Sequence, residues 1–324
     1  MGSPEGMTEL AIAVDLGGTN LRCSVIDAAG EMRFDSRQSS RGDEGVDAVI
    51  GRIARMIEVA ASDQGLGPEV AVGVVAPGPL DTRRGIVRYA PNLPGWNEVP
   101  LRARLEQLTG RRIILGNDAN SQALAEHIFG AAKDVDNLVY IALGTGLGGG
   151  VIANGKLVDG EAGLGGELGH MTINFQGPRC TCGSLGCVEA YCSGWAIARD
   201  GQALADSNRS DYLEAIAAQR PVSSRDVNAA AEAGDPLAAA VIRDAGHALG
   251  AALGNFVNMF NPQIIVIGGG LAQIGARLLD PAYETMKRFA LPDLTEELEI
   301  RRSALGTHTG LYGAAALVLF QDKI

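Results

Sequence analysis

Twice along the chain an apolar run stops at a glycine-rich turn and restarts as a second apolar run. Leu10–Asp15 leads through Leu16-Gly17-Gly18-Thr19-Asn20 into Leu21–Ile26, and Leu138–Leu143 leads through Gly144-Thr145-Gly146-Leu147-Gly148 into Gly149–Ala153. Apolar, β-branched runs on either side of a tight glycine turn predict hairpins. The 324 residues fit two domains of about 150 each, so this pseudo-repeat predicts one glycine hairpin per domain. After the first, Ala28-Ala29-Gly30 turns into a third strand around Met32–Asp35. A helix over Val46–Ala61 follows, with Val46, Val49, Ile50, Ile53, Ile57 and Ala60 on one face. A strand at Val70–Val75, a helix at Val99–Thr109 ended by Gly110, and a strand at Arg112–Leu115 complete the order β-β-β-α-β-α-β. The second half opens with a helix over Ala119–Phe129. It adds a long Ala-rich helix at Pro236–Met259, a strand at Ile264–Ile267 running into Gly268-Gly269-Gly270, and a closing helix at His308–Phe320.

The glycines exclude two nucleotide folds. Gly144, Gly146 and Gly149 match G-x-G-x-x-G, but Val151-Ile152-Ala153-Asn154-Gly155 reads as strand and turn where the dinucleotide fingerprint needs a helix. No G-x-x-x-x-G-K-S/T is present, so a Walker loop is excluded. Either hairpin could be an ordinary turn. Backbone amides in two such turns facing one cleft could instead cradle a polyphosphate.

Charge narrows the partners. With 27 Lys and Arg against 38 Asp and Glu, the net charge is −11. That argues against nucleic acid and against anionic lipid. Residues 245–276 lack Asp, Glu, Lys and Arg but carry Asn255, Asn258, Asn261 and Gln263. Those amides fit a buried helix and strand rather than a bilayer. Met1–Leu10 has neither a basic start nor an apolar core, which predicts a cytoplasmic protein. Met1–Gly6 reads as a frayed tail, with Met7 as an alternative start.

Two clusters carry chemistry. His170 precedes Cys180-Thr181-Cys182-Gly183-Ser184-Leu185-Gly186-Cys187. One imidazole and three thiolates form a tetrahedral structural-zinc set, and the glycines let three sulfurs meet. Four of the five cysteines lie within 180–192, which in a chain without a signal segment favours metal over disulfide. Cys192 could substitute as a ligand, and Cys23 on its strand reads as core. Gly116-Asn117-Asp118 places a carboxylate at the end of a buried strand and the start of a helix. Open α/β sheets bind ligands at that end. A plain helix cap is the alternative for Asp118.

Asp15-Leu16-Gly17-Gly18-Thr19-Asn20 resembles the phosphate signature of the actin-like sugar kinases. Within them Gly163–Ser193 resembles the ROK family (repressors, open reading frames, kinases), its bacterial glucokinases most of all. The likeness runs from Ala11 to about Ala316. It implies an α/β fold, a two-domain actin-like (ribonuclease H-like) sugar kinase with a ligand cleft between its domains. One domain would hold residues 1–118 and about 307–324, the other 119–306 with the zinc loop.

The implied reaction is phosphorylation of glucose at its 6-hydroxyl by ATP with Mg²⁺. Asp118 would be the general base. Gly78, Asn92, Asn117, Glu167, His170 and Glu189 would contact the sugar, His170 being shared with a structural Zn²⁺ held also by Cys180, Cys182 and Cys187. Asp15 would act through water on Mg²⁺, with Gly17, Gly18, Thr19, Gly144, Thr145 and Gly146 against the phosphates and Gly268 and Gly269 beside the adenosine. Arg22 is left without a role. A homodimer or higher homo-oligomer is expected by the same likeness. The alternatives are a kinase for mannose, fructose, N-acetylmannosamine or N-acetylglucosamine, one that uses polyphosphate, and a sugar-sensing repressor. A repressor would need a DNA-binding domain ahead of Asp15, where fourteen residues stand.

Overall fold

In the computed structural model the described residues are 10–90 and 92–324. Met1–Gly6 and Met7, read above as a frayed tail and an alternative start, lie outside them.

In chain order the first elements are strands β1 (Leu10–Leu16), β2 (Asn20–Asp27) and β3 (Met32–Ser39), helix α1 (Val46–Asp63), and strands β4 (Val72–Ala76), β5 (Leu80–Asp81), β6 (Ile86–Tyr89) and β7 (Asn97–Val99). Helix α2 (Leu101–Thr109), strand β8 (Ile113–Asn117), helix α3 (Asp118–Ile128) and strands β9 (Leu138–Leu143), β10 (Leu147–Ala153) and β11 (Lys156–Leu157) follow. Then come helices α4 (Glu189–Cys192), α5 (Gly194–Asp206), α6 (Asp211–Ala217), α7 (Ser224–Glu232) and α8 (Pro236–Phe260). Strand β12 (Ile264–Gly268), helix α9 (Ala276–Phe289), strand β13 (Glu299–Arg302) and helix α10 (Thr309–Leu319) complete the chain. Among the described residues no helix is long and apolar enough to cross a membrane.

The chain divides into two compact units. The first holds the described residues up to Asp136, with Gly150–Gly166 and Ala304–Ile324; the second holds Asn137–Gly149 and Glu167–Ser303. Helix α3, which the sequence reading placed at the start of the second domain, belongs to the first unit. Its helical period alone could not reveal which core it joins.

The first unit is built on a sheet ordered β3-β2-β1-β4-β8, with β1 antiparallel to β2 and parallel to β4. Side chains alternate across it. Ile12, Val14, Cys23, Val25, Val72, Val74 and Leu115 share one core with Val49, Ile50, Ile53 and Ile57 of α1. Residues of opposite parity meet α10: a side chain at Gly73 would run into the Ala314 carbonyl, and one at Gly116 into Leu317. The antiparallel trio β5-β6-β7 was not foreseen, because strands of two to four residues are too short to show a period.

In the second unit β12 lies between β9 and β13, parallel to both. Strand β10 starts at Leu147 rather than Gly149, because Gly144 N–H already closes the turn on the Gly146 carbonyl at 3.0 Å. Helix α8 is capped by Asp235, whose Oδ1 accepts from Leu237 and Ala238. Along α8, Gly246, Gly250 and Gly254 recur every four residues against α9. A Cβ there would lie 3.1, 2.6 and 2.9 Å from the Cβ atoms of Pro281, Thr285 and Phe289.

Candidate functional site

Each unit carries part of the expected set. In the first, β1 delivers Asp15 opposite Arg22 of β2. Burial pushes the Asp15 carboxyl above its ordinary range, and the Arg22 charge opposes that rise. Arg22, given no role by the sequence, also donates to the Thr307 carbonyl. The Asp15 carboxylate lies over Gly310 in the first turn of α10, where the helix dipole favours an anion. The hairpin turn closes through Gly17 N–H to the Asn20 carbonyl at 2.8 Å. Gly18 packs on Asn92, and a Cβ on Gly18 would sit 2.6 Å from that of Asn92. Thr19 is exposed beside it.

Strand β8 ends at Asn117, and α3 begins at Asp118. Capping falls to Asn117, whose Oδ1 accepts from Ala119 at 3.0 Å and Asn120 at 3.2 Å. Asp118 is therefore the first helical residue, half-buried, with Oδ1 accepting from Ala119 N–H at 2.8 Å. The capping alternative for Asp118 thus passes to its neighbour. A Cβ on Gly78 would stand 3.3 Å from Asn117 Nδ2. The structure so pairs Gly18 with Asn92 and Gly78 with Asn117.

In the second unit the turn Gly144-Thr145-Gly146 is held from the start of α5. Gly194 N–H donates to the Gly144 carbonyl at 2.9 Å, and Trp195 N–H to the Thr145 carbonyl at 3.0 Å. Gly268 ends β12, and Gly269, at φ 88°, adopts a backbone that glycine tolerates. Gly269 presses on Leu143, so 268–269 and 144 are neighbours; a Cβ there would stand 2.6 Å from the Leu143 carbonyl carbon. Glu167 precedes a short turn of helix at Leu168–His170. Burial pushes the Glu167 carboxyl up, His170 lowers it, and Glu189 adds to the rise.

His170, Cys180, Cys182 and Cys187 bring their ligand atoms within 4.8 Å of one another. Cys180 Sγ is 3.7 Å from His170 Nδ1, and Cys182 Sγ is 3.7 Å from Cys187 Sγ. Four donors placed about 2.0–2.3 Å from one ion at tetrahedral angles stand roughly 3.5–3.8 Å apart, so the set fits such an ion. The sulfurs are too far apart for a disulfide, which needs about 2.05 Å, and all five cysteines are free. Cys192 is outside the set: it is fully buried, burial pushes its thiol up, and Sγ donates to the Val188 carbonyl at 3.4 Å. Cys23 is core, with burial raising its thiol to about 12.

Glu189 sits beside this knuckle, 8 % exposed. Its Oε2 accepts from Leu147 N–H at 2.9 Å. Its Oε1 accepts from Thr181 Oγ1 at 3.2 Å, Trp195 Nε1 at 3.3 Å and Cys180 Sγ at 3.7 Å. Thr181, Trp195 and Gly310 were missed by the sequence reading. Thr181 lies between two of the clustered cysteines, which is a usable signal; nothing in the sequence marks the other two.

The fold is the two-domain actin-like α/β fold of sugar kinases. The chain belongs to the ROK family, whose model matches residues 11–321. It is 35 % identical over 308 residues to a glucokinase of Thermotoga maritima, covering 95 % of this chain and 96 % of that one. A ROK hexokinase of Thermus thermophilus superposes with a TM-score of 0.84 at 37 % identity, covering 97 % of this chain and 99 % of the other. A ROK-family glucokinase of Streptomyces griseus, solved with glucose and AMPPNP, gives 0.79 at 32 % identity, over 95 % and 99 %.

Proposed function

We propose that this chain is a hexose kinase that transfers the γ-phosphoryl group of ATP to the 6-hydroxyl of glucose. The observation that carries this is Asp118, placed at the end of β8 as the first residue of α3 behind the Asn117 cap, in a chain that is full-length kin to glucokinases. The 6-hydroxyl oxygen attacks the γ-phosphorus in line, its proton passes to the Asp118 carboxylate, and the bond to the β-phosphate oxygen breaks to release ADP. Asn117, with Oδ1 committed to the helix, would donate its amide N–H to a ring hydroxyl. Gly78, Asn92, Glu167 and His170 would take the remaining hydroxyls, and Glu189 keeps one acceptor site on Oε2 for another. Leaving any such bond unmade in a closed site is costly, which gives polyol selectivity.

On the donor side Asp15 would hold the hydration shell of Mg²⁺, an ion that neutralises charge on the transferring phosphoryl group. Gly17, Gly18, Thr19, Gly144, Thr145 and Gly146 would present backbone N–H groups to the phosphates, with Gly268 and Gly269 beside the nucleoside. Zinc suits the knuckle, because imidazole plus three thiolates closes all four positions. It would order the loop between Glu167 and Glu189 and take no part in the chemistry. A cytoplasmic homodimer or larger assembly completes the reading; a 33.6 kDa particle in sedimentation would overturn the assembly.

The test is ADP release with Mg-ATP across glucose, mannose, fructose, N-acetylglucosamine and N-acetylmannosamine. Dominant kcat/KM for glucose is expected. Preference for an N-acetylated sugar would keep Asp118 and the knuckle but replace the substrate, and silence on all five would sink the kinase reading.

A further inference from the structure

We infer that Glu189 is a positioning residue that ties the metal knuckle to the glycine turn 144–147, so that order in the knuckle sets order in the turn. The inference rests on reading that turn as a phosphate loop. A closed ring of bonds surrounds it: Trp195 N–H holds the Thr145 carbonyl, Trp195 Nε1 donates to Glu189 Oε1, and Glu189 Oε2 accepts from Leu147 N–H. Gly146 completes the ring by having no side chain, since a Cβ there would stand 2.6 Å from Glu189 Oε2. The other side of the same carboxylate faces the knuckle through Thr181 Oγ1. Thr181 lies between two ligands yet is not one, so its hydroxyl reports the position of the metal loop without holding the ion. A carboxylate that is nearly fully buried and bonded on both oxygens has one placement. If Thr181 moves, the acceptor for Leu147 N–H moves with it. The knuckle thereby acts on the nucleotide side of its unit as well as on the sugar side.

The test follows the Leu147 amide by hydrogen exchange in the intact protein, together with metal content and the KM values for ATP and glucose. Four samples are compared: wild type, wild type treated with a chelator, Thr181→Val, which leaves every ligand and Glu189 in place, and Glu189→Gln. Thr181→Val should keep its full metal, speed Leu147 exchange about fivefold, the factor one ordinary hydrogen bond gives, and raise KM for ATP several-fold with KM for glucose within twofold. Chelation of wild type should speed the same amide. Glu189→Gln, with unchanged metal content, should show the Leu147 effect at least as strongly. Leu147 exchange indifferent to both chelation and Thr181→Val would overturn the inference, as would a rise in KM for glucose alone. Coupled exchange in a protein that phosphorylates no sugar would keep the link and sink the kinase reading instead.

Discussion

The carboxylate of Asp15 rests on the α-carbon of Gly310, so closely that a methyl group on Gly310 would stand 2.6 Å from Oδ2. The first strand and the last helix of the chain thereby share one fixed point. Gly310→Ala should push the carboxylate off its place. A shift of about 1 Å in a catalytic group costs on the order of 100-fold, so kcat should fall by roughly that factor and the Mg²⁺ requirement should rise. Melting temperature, followed in parallel, should change little. An unchanged Mg²⁺ titration would remove Asp15 from the phosphate site.

Asp118→Asn keeps the shape of the side chain but removes the carboxylate proposed as the proton acceptor. Turnover should drop about 10²–10⁴-fold, while glucose affinity by calorimetry stays within a few-fold. Near-normal kcat would take the base role away from Asp118.

Asn117 caps α3 and, on the proposed reading, also donates to the sugar; substitution separates the two roles. Asn117→Asp retains an oxygen for the Ala119 and Asn120 N–H groups but loses the amide donor. It should keep stability and lose sugar affinity. Asn117→Ala should lose both, with about 1 kcal/mol less stability in urea titration. Equal sugar affinity in all three proteins would show that the amide makes no contact.

Cys182→Ser removes one of four donors. The purified protein should carry less than one metal per chain by elemental analysis and unfold roughly 5 °C lower or more in calorimetry. Zinc at one equivalent in wild type is the expected companion result; a wild-type protein fully active without metal would refute the site.

The Asp27 side chain shows how stability should follow pH. Its Oδ1 accepts from Ala29 and Glu31 N–H, each at 2.9 Å, and its Oδ2 from Arg33 at 2.9 Å. The Glu31 N–H does most to hold the carboxyl below its ordinary range; burial opposes and Arg33 assists. A folded value below the unfolded one stabilises at pH above the ordinary carboxylate range, and that gain is lost as pH falls through the folded value. Asp27→Asn should therefore be less stable than wild type at pH 7, with the gap closing below pH 4 in chemical denaturation. A constant gap would assign the effect to packing alone.

Elements with a strong period were legible in the sequence. Helix α1 was expected at Val46–Ala61 and spans Val46–Asp63; β9 was expected and found at Leu138–Leu143. The knuckle was legible too, since ligand spacing is a local property and His170 lies only ten residues ahead of Cys180. What escaped was decided by contacts distant in sequence. The seat of Asp15 on Gly310 joins the two ends of the chain, and the bond from Glu189 to Leu147 spans 42 residues. The division of labour between Asn117 and Asp118 turned on one residue of helix phase, which periodicity does not resolve.

The three glycines of α8 that admit α9 also bear on the order in which the second unit can assemble. Each weakens an isolated helix by roughly 1 kcal/mol relative to alanine, and α9 carries Pro281 within its own span. Neither segment is therefore a good helix by itself, and each gains its main stabilisation by docking on the other. Residues 236–289 should then fold and unfold as one cooperative block, with β12 carried inside it, so that the strand between β9 and β13 is laid down only when both helices close.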